Sequence, residues 1–242
     1  APNGAITRLW NGVQERIATG FPSHANLQGR QAIGPSDVAL VRGADAMTGF
    51  AQSPPAGECD PGCAYVTIGL MQSPDFRERY PFLADFAKLA RISGTGEWEY
   101  VADLGTYETQ NDPDQEHYDP DKLDTNPYGL LAEPSGRAVA VTEAGGNSLL
   151  RFGARGDITT LAVFPPHPDD SVPTSVEIGP DGAYYVGELT GFPIVPGGAN
   201  IYRVGVPGES PEVCVTGFTT VIDIAFDPQG NLYVLQYMTN PP

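Results

Sequence analysis

The chain has 242 residues, with 30 Asp and Glu against 13 Lys and Arg and a formal net charge of −17. That balance argues against nucleic acid as a partner, since binding a phosphate backbone needs clustered Lys and Arg to release counterions. The 29 Gly and 24 Pro are too many for a helical bundle and have no collagen period, so they read as turn punctuation between strands. No apolar run approaches the ~20 residues of a membrane span. The Ala-Pro-Asn start lacks the basic and apolar regions of a signal peptide, so an exported chain would already have lost its signal.

Residues 5–20 open with two strand patterns, ITRL at 6–9 and VQERIATGF from Val13. GPSDVAL predicts the next strand, separated by a long excursion (about 41–63) from its partner AYVTIG. Within the excursion, Cys59 and Cys63 bracket Asp-Pro-Gly, a turn that brings their Cα atoms within disulfide range. The expectation is a Cys59–Cys63 disulfide; two reduced cysteines in a turn are the alternative, and two thiolates alone fall short of a zinc set. MQSPDFRERYPFLADFAKL then allows a helical turn or two, interrupted at Pro81, before the strands LARI and EWEYVADL.

A second excursion, residues 107–124, reads YETQNDPDQEHYDPDKLD. Its Asp112, Asp114, Glu116, Asp119 and Asp121 alternate as in a calcium loop, but the Gly and final Glu of an EF-hand are missing. A solvated loop is therefore expected here.

Beyond it a repeat emerges. EPSGRAVAVTEAGG from Glu133, GPDGAYYVGELTG from Gly179 and DPQGNLYVLQYM from Asp227 share Pro-x-Gly followed by a strand. Their prolines, Pro134, Pro180 and Pro228, are 46 and 48 residues apart, the interval of a propeller blade of ~40–50 residues. Each turn follows a short apolar strand, GLLAE, SVEIG or DIAFD. Third strands carrying an Arg recur as ITRL, LARI, LLRF and IYRV, and fourth strands as VQERIATGF, EWEYVADL, ITTLAVF and EVCVTGF. Cys214, in the last of these, reads as a buried free thiol.

The strand phase predicts an all-β fold, a β-propeller of four-stranded antiparallel blades forming a single domain over residues 1–242. Three full units fall at about 35–108, 126–164 and 172–218, flanked by half-blades at 5–20 and 222–237. The halves either join and close a four-bladed ring, or belong to a larger propeller that is incomplete here. Exchanged between molecules, they would mediate self-association.

The segments GPSDVAL, YETQNDPD, DTNPYGLLAEPSGRAVAVTEAGGNSLLR, VPTSVEIGPDGAYYVGELTGFP and VIDIAFDPQGNLYVL resemble the ScyD/ScyE family of exported, NHL-like propeller proteins over nearly the whole chain. The resemblance implies a longer, six-bladed propeller and a secreted or periplasmic location, with biochemical activity unassigned. Ser36 stands where that family often has His, so any role of that His is absent here.

Superposing the repeats on themselves places Glu188, Glu143, Gln236 and Ile68 at one position, and Asp37, Gly129, Ser175 and Asp223 at another. First strands line a propeller's channel, so these positions form rings at the axis or its mouth. Asp37, Asn126, Asn147, Thr174, Glu188 and Asp223 are the candidate ligand-binding residues. Glu143, Glu188, Asn126 and Asp223 are candidate metal ligands, an oxygen set suited to Ca²⁺. The bland alternative has the aspartates accepting backbone hydrogen bonds and the glutamates solvated or paired with Arg.

Three functions follow. The leading one is binding of a small ligand or metal ion at the central channel. A metal-dependent lactonase- or esterase-like hydrolase is the second, by fold-level analogy. A protein-interaction platform or assembly subunit using the acidic loop and the Cys59 insertion is the third. No Gly-x-Ser-x-Gly, phosphate-binding Gly loop or His-Glu-x-x-His is present, and whether the chain is an enzyme is left open.

Overall fold

A computed structural model describes residues 3–26, 32–41, 63–114, 123–166, 170–205 and 208–239. Sixteen strands form five antiparallel sheets among these residues. The opening pair is β1 (Gly4–Trp10) and β2 (Val13–Phe21). The first four-stranded sheet holds β3 (Pro35–Leu40), β4 (Ala64–Ile68), β5 (Lys88–Ile92) and β6 (Trp98–Asp103). The second holds β7 (Pro127–Ala132), β8 (Ala138–Glu143), β9 (Ser148–Gly153) and β10 (Ile158–Val163). The third holds β11 (Pro173–Ile178), β12 (Tyr184–Glu188), β13 (Ala199–Val204) and β14 (Glu212–Phe218). A closing pair, β15 (Val221–Phe226) and β16 (Leu232–Gln236), completes the set. Strand order within each sheet follows chain order, as a propeller blade requires.

The Pro-x-Gly repeat sets the first hairpin of the last three sheets. Gly136, Gly182 and Gly230 sit at φ of 68°, 79° and 84°, where a Cβ would be strained. Each glycine N–H donates to the carbonyl three residues back, Glu133, Gly179 or Asp227, at 2.9 Å. The turn therefore fixes the register that sends each strand's apolar set to the faces between sheets.

Those faces make the core. Ala18 and Phe21 of β2 bury against Val66, Ile68 and Ile92 of the first sheet, with Phe21 stacked on Trp98 at 4.5 Å between ring centroids. Tyr65 and Leu89 meet Val139, Val141 and Leu150 across the next face. Leu149, Leu161 and Phe164 meet Val176, Val186 and Tyr202 across the one after. Ile201 and Ile224 pack the last. At roughly 1.5–3 kcal/mol for each large side chain fully removed from water, these interfaces hold the sheets in sequence. The repeated arginines pair with acids near them: Arg8–Glu15, Arg91–Glu99, Arg151–Glu133 and Arg203–Asp181. Tyr184 adds a bond between sheets, its hydroxyl donating to Glu133 at 2.7 Å.

Four-bladed closure by joining the half-blades does not form: β1–β2 and β15–β16 are separate two-stranded sheets. Each pair instead buries one face on its neighbouring four-stranded sheet, leaving side chains such as Trp10 and Tyr233 exposed. The second excursion is not all loop, because Leu104–Asn111 forms a helix, α2, whose first turn is capped by the Asp103 carboxylate accepting from Thr106 N–H at 2.8 Å. Cys214 is a free thiol but exposed rather than buried, because β14 is the outer strand of its sheet and pairs with β13 alone. Before β5, the short helix α1 (Phe76–Arg79) and a 3₁₀ turn at Pro81–Leu83 occur as the sequence predicts, broken at Pro81. Cys63 is buried; Cys59 and most of the first insertion lie outside the described residues. No helix among the described residues is long and apolar enough to cross a membrane.

Candidate functional site: an axial cleft and a buried acidic cluster

β3, β7, β11 and β15 come from four different sheets and converge on one cleft of about 480 Å³. Pro35, Pro127 and Pro173 begin the first three of these strands, where a missing N–H costs no interior ladder bond. All four strands then shift register, between Pro35 and Asp37, Pro127 and Leu130, Pro173 and Ser175, and Val221 and Asp223. Such bulges re-aim side chains. Among the residues lining the cleft are Ser36, Asp37, Tyr128, Thr174, Ser175 and Asp223.

Asp37, Thr174 and Asp223 are thus brought together. Asp37 accepts from Val38 N–H at 2.7 Å and, across the sheet boundary, from Leu130 N–H at 2.9 Å. Although Asp37 opens to the cleft, the surrounding protein withholds enough water to push its carboxyl above the usual range. The two N–H donors oppose that rise and the charge of Asp223 adds to it. Asp223 accepts from Ile224 N–H at 2.9 Å. The Thr174 hydroxyl donates to the Val221 carbonyl at 2.8 Å, which ties β11 to β15.

Glu143, Glu188, Asn126 and Asn147 do not line this cleft. The repeat alignment holds: Ile68, Glu143, Glu188 and Gln236 lie opposite Pro35, Pro127, Pro173 and Val221. Both glutamates are fully buried and occupied within their own sheets. Glu143 accepts from the Thr125 hydroxyl and from the N–H groups of Asn126, Gly145 and Gly146 at 2.7, 2.9 and 2.7 Å. Glu188 accepts from the Ser171 hydroxyl at 2.8 Å and from Asn200 N–H and Nδ2, each at 2.7 Å. Gln236 Oε1 does a related task, accepting from Thr219 N–H at 2.9 Å. At each position the side chain pins the segment before the sheet's first strand. Burial raises the carboxyl of Glu188 to about 7, against the pull of its donors from Ser171 and Asn200. Burial likewise raises Glu143, against the donors from Gly146, Thr125 and Asn126.

Asn147 is buried and fully engaged. Its Nδ2 donates to Asp114 Oδ2 at 2.9 Å, and its Oδ1 accepts from the N–H groups of Ser171 and Val172 at 3.1 and 3.0 Å. Asn126 Oδ1 packs against Gly69, where a Cβ would lie 2.4 Å away. Among the described residues, Glu143, Glu188 and Asp223 do not gather as a metal-binding group.

One such group does form, outside the repeated positions: Glu108, Asp112 and Asp114, whose ligand oxygens lie within 4.8 Å of one another. Burial, then the charges of Glu143, Asp114, Asp112 and Asp124, hold the Glu108 carboxyl far above the usual range. The signal was available: Glu108 and Asp112 are four residues apart, and Asp103 ahead of LGTYETQN is a helix N-cap. Glu116, Asp119 and Asp121 lie outside the described residues.

No protein-family profile and no curated protein matches this sequence. Solved structures do share its fold. A chain of a nidogen/laminin complex superposes with a TM-score of 0.54 at 12% identity, over 98% of this chain and 68% of that one. A candidate gluconolactonase gives 0.51 at 15%, over 96% and 64%. The PQQ-bound aldose sugar dehydrogenase of Streptomyces coelicolor gives 0.51 at 16%, over 97% and 61%. The chain spans less than two thirds of the length of the latter two. Likeness at such identity shows fold alone. Together with the four-stranded antiparallel sheets, it establishes that this chain has the β-propeller fold.

Proposed function

We propose that the chain is an exported, ScyD/ScyE-type β-propeller that binds a small polar ligand or a metal ion in its axial cleft. The observation that carries this reading is the convergence of four first strands on one cleft with Asp37 and Asp223 facing it. Two carboxylates of like charge, close enough to feel each other, favour a cationic or hydroxyl-rich occupant that relieves their repulsion. Binding is tested with a thermal-shift panel of CaCl₂, small amines, sugars and sugar lactones on the parent and on Asp37→Asn with Asp223→Asn. The expected result is a hit whose affinity falls about tenfold or more in the double variant, the loss of roughly 1.4 kcal/mol of charge-assisted contact. An unchanged affinity would move the ligand elsewhere.

A second reading, a lactonase-like hydrolase, draws support from the propeller shared with the candidate gluconolactonase. It predicts turnover of sugar lactones that a chelator abolishes. The glutamates expected as its metal ligands are held by their own sheets, which places binding ahead of hydrolysis.

Export also fits the Cys59–Cys63 pairing. Denatured without reductant, the chain should then show one reactive thiol per molecule, Cys214. A titration with a thiol reagent that finds all 3 cysteines reactive would refute the disulfide.

A further inference from the structure

Glu108 poses a problem that its surroundings do not solve. Its side chain is fully buried, and neither carboxylate oxygen has a hydrogen-bond partner among the described residues. Burying an ionised carboxylate without a partner costs several kcal/mol, so such a group is expected to be neutralised or paired. Protonation alone is a poor remedy, because a neutral carboxyl still presents an O–H and a carbonyl oxygen that need partners. The nearby groups are acids: Asp112 and Asp114 bring their oxygens within 4.8 Å, and Asp124 and Glu143 add further negative charge.

We propose that Glu108, Asp112 and Asp114 hold a hard divalent cation, Ca²⁺ in the first instance, at the junction of α2 and the second sheet. Among the described residues the donor set is oxygen alone, with no His or Cys, which selects Ca²⁺, Mg²⁺ or Mn²⁺ over zinc. The span fits as well. Oxygens bound to one Ca²⁺ at about 2.4 Å cannot be further apart than about twice that, and this cluster falls within the limit. The fold also reserves the space: a Cβ on Gly146 would lie 2.6 Å from Glu108 Oε2, so the β8–β9 turn keeps a glycine where the carboxylate sits.

The site would do more than hold an ion. Asp114 is tied through Asn147 to the N–H groups of Ser171 and Val172, which lead into β11. A cation fixing Asp114 would therefore brace the approach of the third sheet, one of the four that form the axial cleft.

The test is calorimetry and thermal unfolding of the chelator-treated full chain with CaCl₂. The parent should bind one Ca²⁺, and saturation at about a hundredfold over Kd should raise Tm by about 5 °C or more. Glu108→Gln and Asp112→Asn should each abolish the shift, and Glu108→Gln should be at least as stable as the parent without metal, since it removes the unpartnered acid. The axial double variant Asp37→Asn with Asp223→Asn should retain the full response, which separates this site from the proposed axial one. Asp112 is partly exposed, so Asp112→Asn keeps the test intact if Glu108→Gln fails to fold. Three results would overturn the proposal: no response of the parent to Ca²⁺, Mg²⁺ or Mn²⁺; a response that survives both acidic-cluster variants; or one lost only in the axial variant.

Discussion

At pH 8, Glu143→Gln should destabilise the protein by about 2–4 kcal/mol, while the same change at Glu188 should cost less than about 1 kcal/mol or stabilise slightly. The two glutamates occupy equivalent positions in neighbouring sheets, so the contrast comes from their donors. Glu143 faces three backbone N–H groups and one hydroxyl, with at least one N–H on each oxygen. However a glutamine is turned, its amide NH₂ meets a backbone N–H. Glu188 presents one oxygen to Asn200 and the other to the Ser171 hydroxyl, and a hydroxyl can accept from an NH₂. Gln236 shows a carboxamide at this position in the closing pair.

The same pair carries a pH dependence. Burial lifts the folded-state carboxyl of Glu188 from an ordinary 4.5 to about 7. Between those values the folded chain holds a proton that the unfolded chain releases. The stability it contributes is therefore present below about pH 4.5 and is lost as pH rises through about 7, on the order of 3 kcal/mol. Urea midpoints measured from pH 5 to 8 should fall more steeply for the parent than for Glu188→Gln. Parallel curves would mean that Glu188 is no more buried from water than an ordinary carboxylate. Loss of lactone turnover in Glu188→Gln, with stability unchanged, would instead return this residue to chemistry.

The strands were legible because period-2 patterning, Pro-x-Gly turns and a repeated Arg all point to the same register, and such agreement fixes a sheet. Superposing the repeats puts Glu143, Glu188 and Gln236 at one position, and in the structure they lie opposite the first residues of β7, β11 and β15. It could not say which way those side chains turn. Equivalence along a sequence fixes a position on a strand, whereas the partner depends on loops such as Ala144–Asn147 and Ser171–Val172 folding back on it. Cys214 is exposed against its strand pattern for a related reason: patterning reports which residues alternate, but burial needs a second surface, and β14 has β13 alone beside it. Glu108 is not legible in the acidic composition of 107–124, which looks like a solvated loop, because the cap at Asp103 starts a helix that carries Glu108 into the interior.

Gly129→Ala should be the most damaging single methyl addition at the axis. Gly129 occupies the ring position that is Asp37, Ser175 or Asp223 in the other sheets, and its N–H donates to the Thr142 hydroxyl at 2.8 Å. A Cβ there would lie 2.4 Å from the Thr174 carbonyl oxygen and 2.8 Å from Thr142 Oγ1. The first contact is with main chain of the next sheet, which cannot rotate away as a side chain could. Relief requires β7 and β11 to separate, opening the packed face between Val176 and the second sheet at a cost of about 3 kcal/mol. The cleft would change with it, since Tyr128 and Thr174 both line it. Gly182→Ala is the control: its φ of 79° strains an alanine, but no atom lies within 4 Å of the added carbon, so about 1 kcal/mol is expected. Unfolding free energies of the two variants, extrapolated from denaturant titrations, should differ by about 2 kcal/mol, and only Gly129→Ala should also weaken an axial ligand. Equal, small losses would show that β7 and β11 separate without cost, and the axial cleft would then be too compliant to select a ligand by shape.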